Sequence, residues 1–363
     1  MSEVADLTAA LVRIDSVNPT LIAGGAGETE IAEFVRDWLG RAGLEVDVIE
    51  PVPGRPSVLG IARGTGGGRT LLLNAHLDTV GTEAMESPFD ARIDNDRLYG
   101  RGSYDMKGAL AAAMLAVADA ATLGLAGDVI LTAVADEEVA SLGTETVLER
   151  VTADAAIVCE PTDLRLAVAH RGFAGFEIET RGVAAHGSRP DLGVDAIVKM
   201  GPVLVALEEL GRRLQAGRRH PLVGAGSLHA SLIEGGQEFS SYPARCVVTG
   251  ERRTLPGETA AEIEADLRAA AGEAEVRLLM SREPFEVDAG HELVRAVGAA
   301  AGTNDVAGVL FWTDAALVAA AGIPTVLFGP AGEGAHAAVE WVDISSLERC
   351  REVYVAVAAA ICQ

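Results

Sequence analysis

At 363 residues the chain is longer than one ordinary hydrophobic core supports, so two domains are expected. With 49% hydrophobic residues and frequent alanine and glycine, it reads as globular rather than disordered. A formal net charge of −24 argues against nucleic acid and anionic membranes as partners, and is compatible with divalent cations.

In chain order, residues 3–14 and 27–43 read as amphipathic helices, and 44–52 and 57–63 as strands. A buried strand begins at Leu71 in the stretch Leu-Leu-Leu-Asn-Ala-His-Leu-Asp-Thr-Val. A polar, turn-rich segment follows as far as Ser103. Residues 106–123, rich in alanine and leucine, predict a helix. Strands at 129–135 and 155–159 flank a helix at about 143–151, the alternation of parallel βαβ units.

The pattern changes after Arg171. Residues 173–182 alternate as a half-exposed antiparallel strand does. A helix (193–214), strands (227–233 and 244–252), a helix (258–272) and a last strand (275–280) complete a split βαβ sandwich. From about Pro284 the βα alternation returns, with helices at 290–301, 313–321 and 343–361 and strands at 306–311 and 324–328. The expected organisation is a catalytic domain in two parts (1–172 and 284–363) interrupted by an inserted domain (173–283).

Cys159, Cys246, Cys350 and Cys362 show no metal or disulfide spacing, so buried thiols in a reducing compartment are expected. No secretory signal is visible, and no uncharged apolar run reaches about 18 residues. Cytoplasmic residence is the resulting expectation.

Four apolar strands end in polar clusters: His76 and Asp78, Glu137 and Glu138, Glu160, and His336 beyond a glycine-rich loop. Asp105 adds a carboxylate before the alanine-rich helix. Parallel strands end on one edge of a sheet, where open α/β folds place their sites. Two histidines with several carboxylates suit a pair of divalent metals, one carboxylate bridging them. An isolated Asp-Glu-Glu is usually a solvated turn; beside the other strand ends, one glutamate can ligate while its neighbour addresses a bound water.

Five segments carry a family resemblance: Asn74–Val80, Gly100–Gly108, Asp136–Glu138, Cys159–Thr162 and Gly334–His336. Together they resemble the M20 family of co-catalytic zinc amidohydrolases, which includes acetylornithine deacetylase, succinyl-diaminopimelate desuccinylase, aminoacylase-1 and carboxypeptidase G2. The resemblance runs in order along the whole chain. It implies a zinc exopeptidase-like α/β domain with a mostly parallel central sheet flanked by helices. It also implies an inserted α+β, ferredoxin-like lid domain that forms a homodimer.

By the same resemblance Asp105 bridges two zinc ions, with cobalt or manganese as substitutes. His76 and Glu160 complete one site, and Glu138 and His336 the other. Glu137 is the general base and acid, Asp78 orients His76, and a cis peptide follows Asp105. His186, in the lid segment Ala185–Ile197, resembles the histidine that stabilises the oxyanion, commonly in the partner subunit. Arg253 resembles an arginine that grips a substrate carboxylate. Gln237, Ser240 and Thr313 fall in substrate-facing segments, Ser240 standing where many members carry asparagine.

The expected activity is deacylation of an N-acyl amino acid, acetylornithine deacetylase-like, through hydroxide held between the zincs. The alternatives are a succinyl-diaminopimelate desuccinylase-like deacylase, a di-zinc dipeptidase or carboxypeptidase, and a metal-binding regulatory protein without catalysis. Small N-acyl amino acids or dipeptides are the expected substrates.

Overall fold

The computed structural model describes residues 2–82 and 85–363, which divide into two units. The first comprises Met1–Val168, Val287–Ala307 and Thr313–Gln363; the second comprises Ala169–Glu286 and Gly308–Trp312. Among the described residues no helix is long and apolar enough to cross a membrane.

The leucine run forms the central strand Leu71–His76, every residue of which is buried. It pairs in parallel with Val129–Val134 on one side and Ala155–Val158 on the other, with Leu73 opposite Leu131 and Ile157. Ala155–Val158 in turn pairs in parallel with Thr325–Leu327. Burial on both faces explains why these strands read as continuous apolar runs.

Parallel pairing is confined to this centre. Ser57–Ala62 runs antiparallel to Val129–Val134, and Glu45–Ile49 antiparallel to Ser57–Ala62. On the far side Leu327 pairs antiparallel with Ala167 of the strand Leu166–His170. The sheet is therefore mixed.

Helix Gly108–Ala120 packs on this sheet, with residues 108–117 all buried. Its alanines combine high helix propensity with little bulk, so helices Glu3–Val12 and Ile344–Ile361 also pack closely against it. The helix begins two residues later than the composition predicts, because Met106 is non-helical and the Asp105–Met106 peptide is cis. Gly102 is left-handed (φ 77°), and a Cβ there would stand 2.7 Å from Thr79 Cγ2.

In the second unit four antiparallel strands lie in the order Ser227–Gly235, Arg245–Thr254, Gly172–Arg181, Glu275–Arg282. Helices Ala196–Ala216 and Ala260–Ala271 complete the split βαβ, ferredoxin-like pattern. Strand Gly172–Arg181 alternates buried and half-buried positions along its length. Its inward residues Phe176 and Ile178 join Met200, Leu207, Val248, Ile263 and Leu267 in the core. Asp195 caps the first helix through Val198 N, and Thr259 with Glu262 forms a capping box on the second. All four cysteines of the chain are free and buried.

Because Leu73 is fully buried between two paired strands, truncation leaves a cavity the sheet cannot close. Leu73→Ala is expected to lower unfolding stability by about 2–5 kcal/mol. Chemical denaturation of both proteins checks this.

Candidate metal centre

The polar ends of the central strands converge on one edge. His76 Nδ1 lies 2.9 Å from the main-chain oxygen of Asp78. A carbonyl only accepts, so Nδ1 carries the proton and Nε2 faces the cluster. Nε2 stands 3.1 Å from Asp105 Oδ1 and 3.8 Å from Glu160 Oε1. An imidazole nitrogen aimed at two carboxylates is an arrangement that suits either a shared proton or a bound cation.

The other carboxylate oxygen of Asp105 faces the opposite way. Its Oδ2 is 3.4 Å from His336 Nε2, which is 3.1 Å from Glu138 Oε2. His336 reaches this position from a left-handed backbone (φ 61°) after Gly334. Asp105 thus stands between a half with His76 and Glu160 and a half with Glu138 and His336. Glu137 belongs with the former: ligand atoms of His76, Glu137 and Glu160 lie within 4.8 Å of one another.

The electrostatics of the cluster are unbalanced. Burial, reinforced by neighbouring carboxylates, pushes Glu137 and Glu160 well above the usual carboxylic range, and Glu138 upward too. Burial would also lift Asp105, but His336 and His76 outweigh it and hold it low. His336 is pushed up to about 10 by its bonds to Asp105 and Glu138. For His76, burial favours the neutral ring, yet Asp105, Glu160 and Glu137 overcome it. Glu138 Oε1 is buried without a hydrogen-bond partner. Excess buried negative charge, an orphaned carboxylate oxygen and inward-facing imidazoles fit a pair of divalent metal ions.

Asp78 holds the site differently from the expectation. Its carboxylate is 3.7 Å from His76 Nδ1, too far for a hydrogen bond, and its main-chain oxygen takes that proton. The carboxylate instead accepts the amides of Glu137 (3.1 Å) and Glu138 (3.2 Å). Thr313 is fully buried, and its hydroxyl accepts Ala315 N at 3.1 Å.

Among the residues of the inserted unit, His186 is exposed, and the Ser188 amide donates to its Nδ1 at 3.2 Å. That bond puts the ring proton of neutral His186 on Nε2. Arg253 pairs with Glu251 at 2.7 Å and lies over the Phe173 ring. Gln237 and Ser240 are exposed.

Glu340 escapes the sequence reading. It is buried and accepts Arg101 Nη1 (2.7 Å) and the amides of Gly102, Tyr104 and Asp105 (2.9–3.1 Å). Its carboxylate therefore shapes the loop that delivers Asp105. Asp314 is a second such residue, buried, bonded by Thr144 and pushed up to about 6 by burial.

Two imidazoles and three glutamates gathered around a shared aspartate at one sheet edge define a two-metal hydrolase. The chain belongs to peptidase family M20/M25/M40, whose model matches residues 72–360. It is 31% identical over 325 residues to the acetylornithine deacetylase of Myxococcus xanthus, covering 84% of each chain. The acetylornithine deacetylase of Proteus mirabilis (strain HI4320) is 29% identical over 364 residues, covering 94% of this chain and 92% of that one. Among solved structures, aminopeptidase PepT from Bacillus cereus ATCC 10987 superposes with a TM-score of 0.80 at 21% identity, covering 99% and 98% of the two chains. The Bacillus subtilis YXEP protein, a dinuclear metal binding peptidase from the M20 family, gives 0.77 at 16% identity, covering 99% and 97%.

Metal removal is expected to destabilise the fold, because ions that bind only the folded state add about 4 kcal/mol per site at a thousandfold excess over Kd. Chelation should lower Tm, and readdition of two equivalents of divalent metal should restore it, as read by calorimetry with metal analysis.

Proposed function

We propose that the chain removes the acyl group from an N-acyl amino acid of the acetylornithine type, with zinc in the cluster. The observation that carries this reading is the divergence of adjacent glutamates. Glu138 reaches His336 and also lies within 4.8 Å of ligand atoms of His76 and Asp105, while Glu137 groups with His76 and Glu160, its amide tied to Asp78. Adjacent residues serving two halves of one cluster suit a ligand beside a proton carrier.

In this proposal His76 and Glu160 would hold one ion and Glu138 and His336 the other, with Asp105 placed to serve both. Bound there, divalent ions would supply Lewis acidity toward a carbonyl and a water. Glu137 is the residue that accepts the attacking water's proton and returns it to the leaving amine. Its placement supports the role, since its ligand atoms lie within 4.8 Å of those of His76 and Glu160 while its amide is held by Asp78. His186 is assigned to the developing oxyanion, to which its Nε2–H can donate. Arg253 is assigned to the substrate carboxylate, and the exposed Gln237 and Ser240 to the substrate's remaining polar groups.

Support for the substrate class comes from the curated relatives, which are named acetylornithine deacetylase. An exopeptidase is the second reading, favoured by the peptidases that share the fold. We also propose cytoplasmic residence, consistent with four unpaired thiols.

A homodimer through the inserted unit completes the proposal. Strand Ser227–Gly235 is a sheet edge, with Leu232 63% and Ile233 55% exposed. Helix Ala196–Ala216 exposes Val198 (71%) and Val205 (65%). Unpaired strand edges and clustered apolar side chains are surfaces that proteins cover.

Glu137→Gln is expected to keep its metal and lose about 100-fold or more in kcat. Full retention of activity would exclude it as the base. On a panel of N-acetyl-ornithine, N-succinyl-diaminopimelate and simple dipeptides, the acetyl substrate should give the highest kcat/KM; preference for dipeptides establishes the exopeptidase reading. Sedimentation analysis should give twice the chain mass of 37.5 kDa, falling to the single mass in Leu232→Lys/Ile233→Asp.

A further inference from the structure

Behind the two glutamates lies a buried charged network that the proposed reaction does not use. Its centre is Arg55, on the loop preceding strand Ser57–Ala62. Arg55 Nε donates to Glu28 Oε2 at 2.7 Å, and Nη2 donates to Glu28 Oε1 at 2.6 Å. Nη2 also donates to Asp136 Oδ1 at 2.8 Å, and Nη1 to Thr20 Oγ1 at 3.1 Å. Glu28 Oε1 accepts the Asp136 amide as well, at 3.2 Å.

Asn18 links this group to the site. Its Nδ2 donates to Asp136 Oδ1 at 3.0 Å and to Asp78 Oδ2 at 2.8 Å. Its Oδ1 accepts Thr20 N, which fixes the orientation of the amide. Asp78 then accepts the Glu137 and Glu138 amides. Glu28, Asn18, Asp78, Asp136 and Arg55 are all buried. The residues preceding the glutamates are thus gripped at Asp136 N, Asp136 Oδ1 and Glu137 N.

The grip has a conformational task. Asp136 is left-handed (φ 69°), a region few non-glycine residues occupy although aspartate enters it more readily than most, and here the network holds it there. Arg55 and Glu28 grip Asp136 from one side and Asn18 grips it from the other. A fully satisfied buried network is stiff, because losing any partner leaves a buried charge uncompensated. Three carboxylates, of Glu28, Asp136 and Asp78, share one guanidinium and one amide. The amide of Asn18 supplies both carboxylates it touches, so its loss is felt at Asp78 and at Asp136 together.

We propose that Asn18 and Arg55 are positioning residues for Glu137: through Asp78 and Asp136 they fix the backbone from which Glu137 and Glu138 project. The inference rests on the reading of Glu137 as proton carrier. Small displacements of a reacting group from its working geometry lower turnover steeply.

The test compares metal-loaded Asn18→Asp with wild type. The substitution preserves size and the Oδ1 acceptor but replaces the donor amide with a carboxyl group set against Asp78 and Asp136, so Asn18→Leu, which removes the donor without adding charge, is measured beside it and should show the same loss. The expected result is a kcat for N-acetyl-ornithine lower by about 10- to 100-fold, with KM within about twofold and both metals retained. Hydrogen exchange at the Glu137 and Glu138 amides should be at least about tenfold faster, since their acceptor Asp78 has been released. Arg55→Met leaves Glu28 buried without its partner and can fail to fold, so Glu28→Gln/Arg55→Met carries that arm and should show the same pair of changes. Asp136→Asn, which keeps Oδ1 as an acceptor, should recover most of the turnover that Asp136→Ala loses. Wild-type kcat and unchanged amide exchange in Asn18→Asp would overturn the inference, as would a kcat loss matched by lost metal or lost folded fraction. Glu137→Gln on the same substrate separates the two readings. If it stays active the assigned base is wrong; if it is inactive while Asn18→Asp turns over normally, the base stands and the positioning role falls.

Discussion

Four carboxyl groups and two imidazoles share the edge of a sheet whose strands are buried on both faces, and that crowding governs the rest of the structure. Like charges this close repel, and burial removes the water that would screen them. Hydrogen bonds within the protein satisfy only part of the group. Asp105 has an imidazole on each side, whereas Glu138 keeps a buried oxygen without a partner. Cations bound between the carboxylates convert the repulsion into attraction. The same crowding explains why the surrounding residues hold backbone so firmly. Asp78 takes two amides, Glu340 takes three and Arg101 besides, and each prevents a carboxylate-bearing segment from relaxing away from its neighbours.

The scaffold and the cluster divide the work between apolar and polar parts of the same strands. Leu71, Leu72 and Leu73 anchor the sheet, and His76 emerges three residues later. Val129–Val134 precedes Glu137 and Glu138, and Ala155–Val158 precedes Glu160, in the same way. Because these strands are parallel and in register, the distance from apolar anchor to polar end is similar in each. Sheet registration thus brings the strand ends to one edge, and the gripped loops that follow them set the final positions of Asp105, Glu137, Glu138 and His336.

What could be read from the sequence follows this division. The central strands were visible because burial on both faces leaves an unbroken apolar run, and the alanine-rich helix because its composition admits little else. The metal-facing side chains were visible because each sits just after such a run. The antiparallel direction of Glu45–Ile49 and Ser57–Ala62 was not, since apolar content is the same in either direction. The hairpin of Arg92–Asp94 and Arg97–Tyr99 was hidden in a polar stretch, its outer residues Arg92, Asp94 and Arg97 all exposed. Strand Leu166–His170 is wholly buried but lies against the change of pattern near Arg171. Asn18, Arg55 and Glu340 were overlooked for a different reason. Their charged partners are 27 to 239 residues away, and no local period encodes a long-range hydrogen bond. Gly308–Trp312 groups with the second unit, although it lies beyond the expected boundary of the insertion. Trp312 explains this, donating to Glu283 O and meeting the rings of His170 and Phe173.

The pairing of Ala155–Val158 with Thr325–Leu327 carries a consequence for biosynthesis. One edge of Ala155–Val158 waits for a partner that the ribosome delivers only after the whole inserted unit, and His336 emerges later still. A nascent chain therefore carries His76, Asp105, Glu137, Glu138 and Glu160 exposed together well before the last imidazole arrives. Long-range parallel pairing of this kind folds slowly. The inserted unit, with its local hairpins and helices, is complete in the chain before that pairing can close, so the last strand and His336 complete the catalytic sheet and its cluster together.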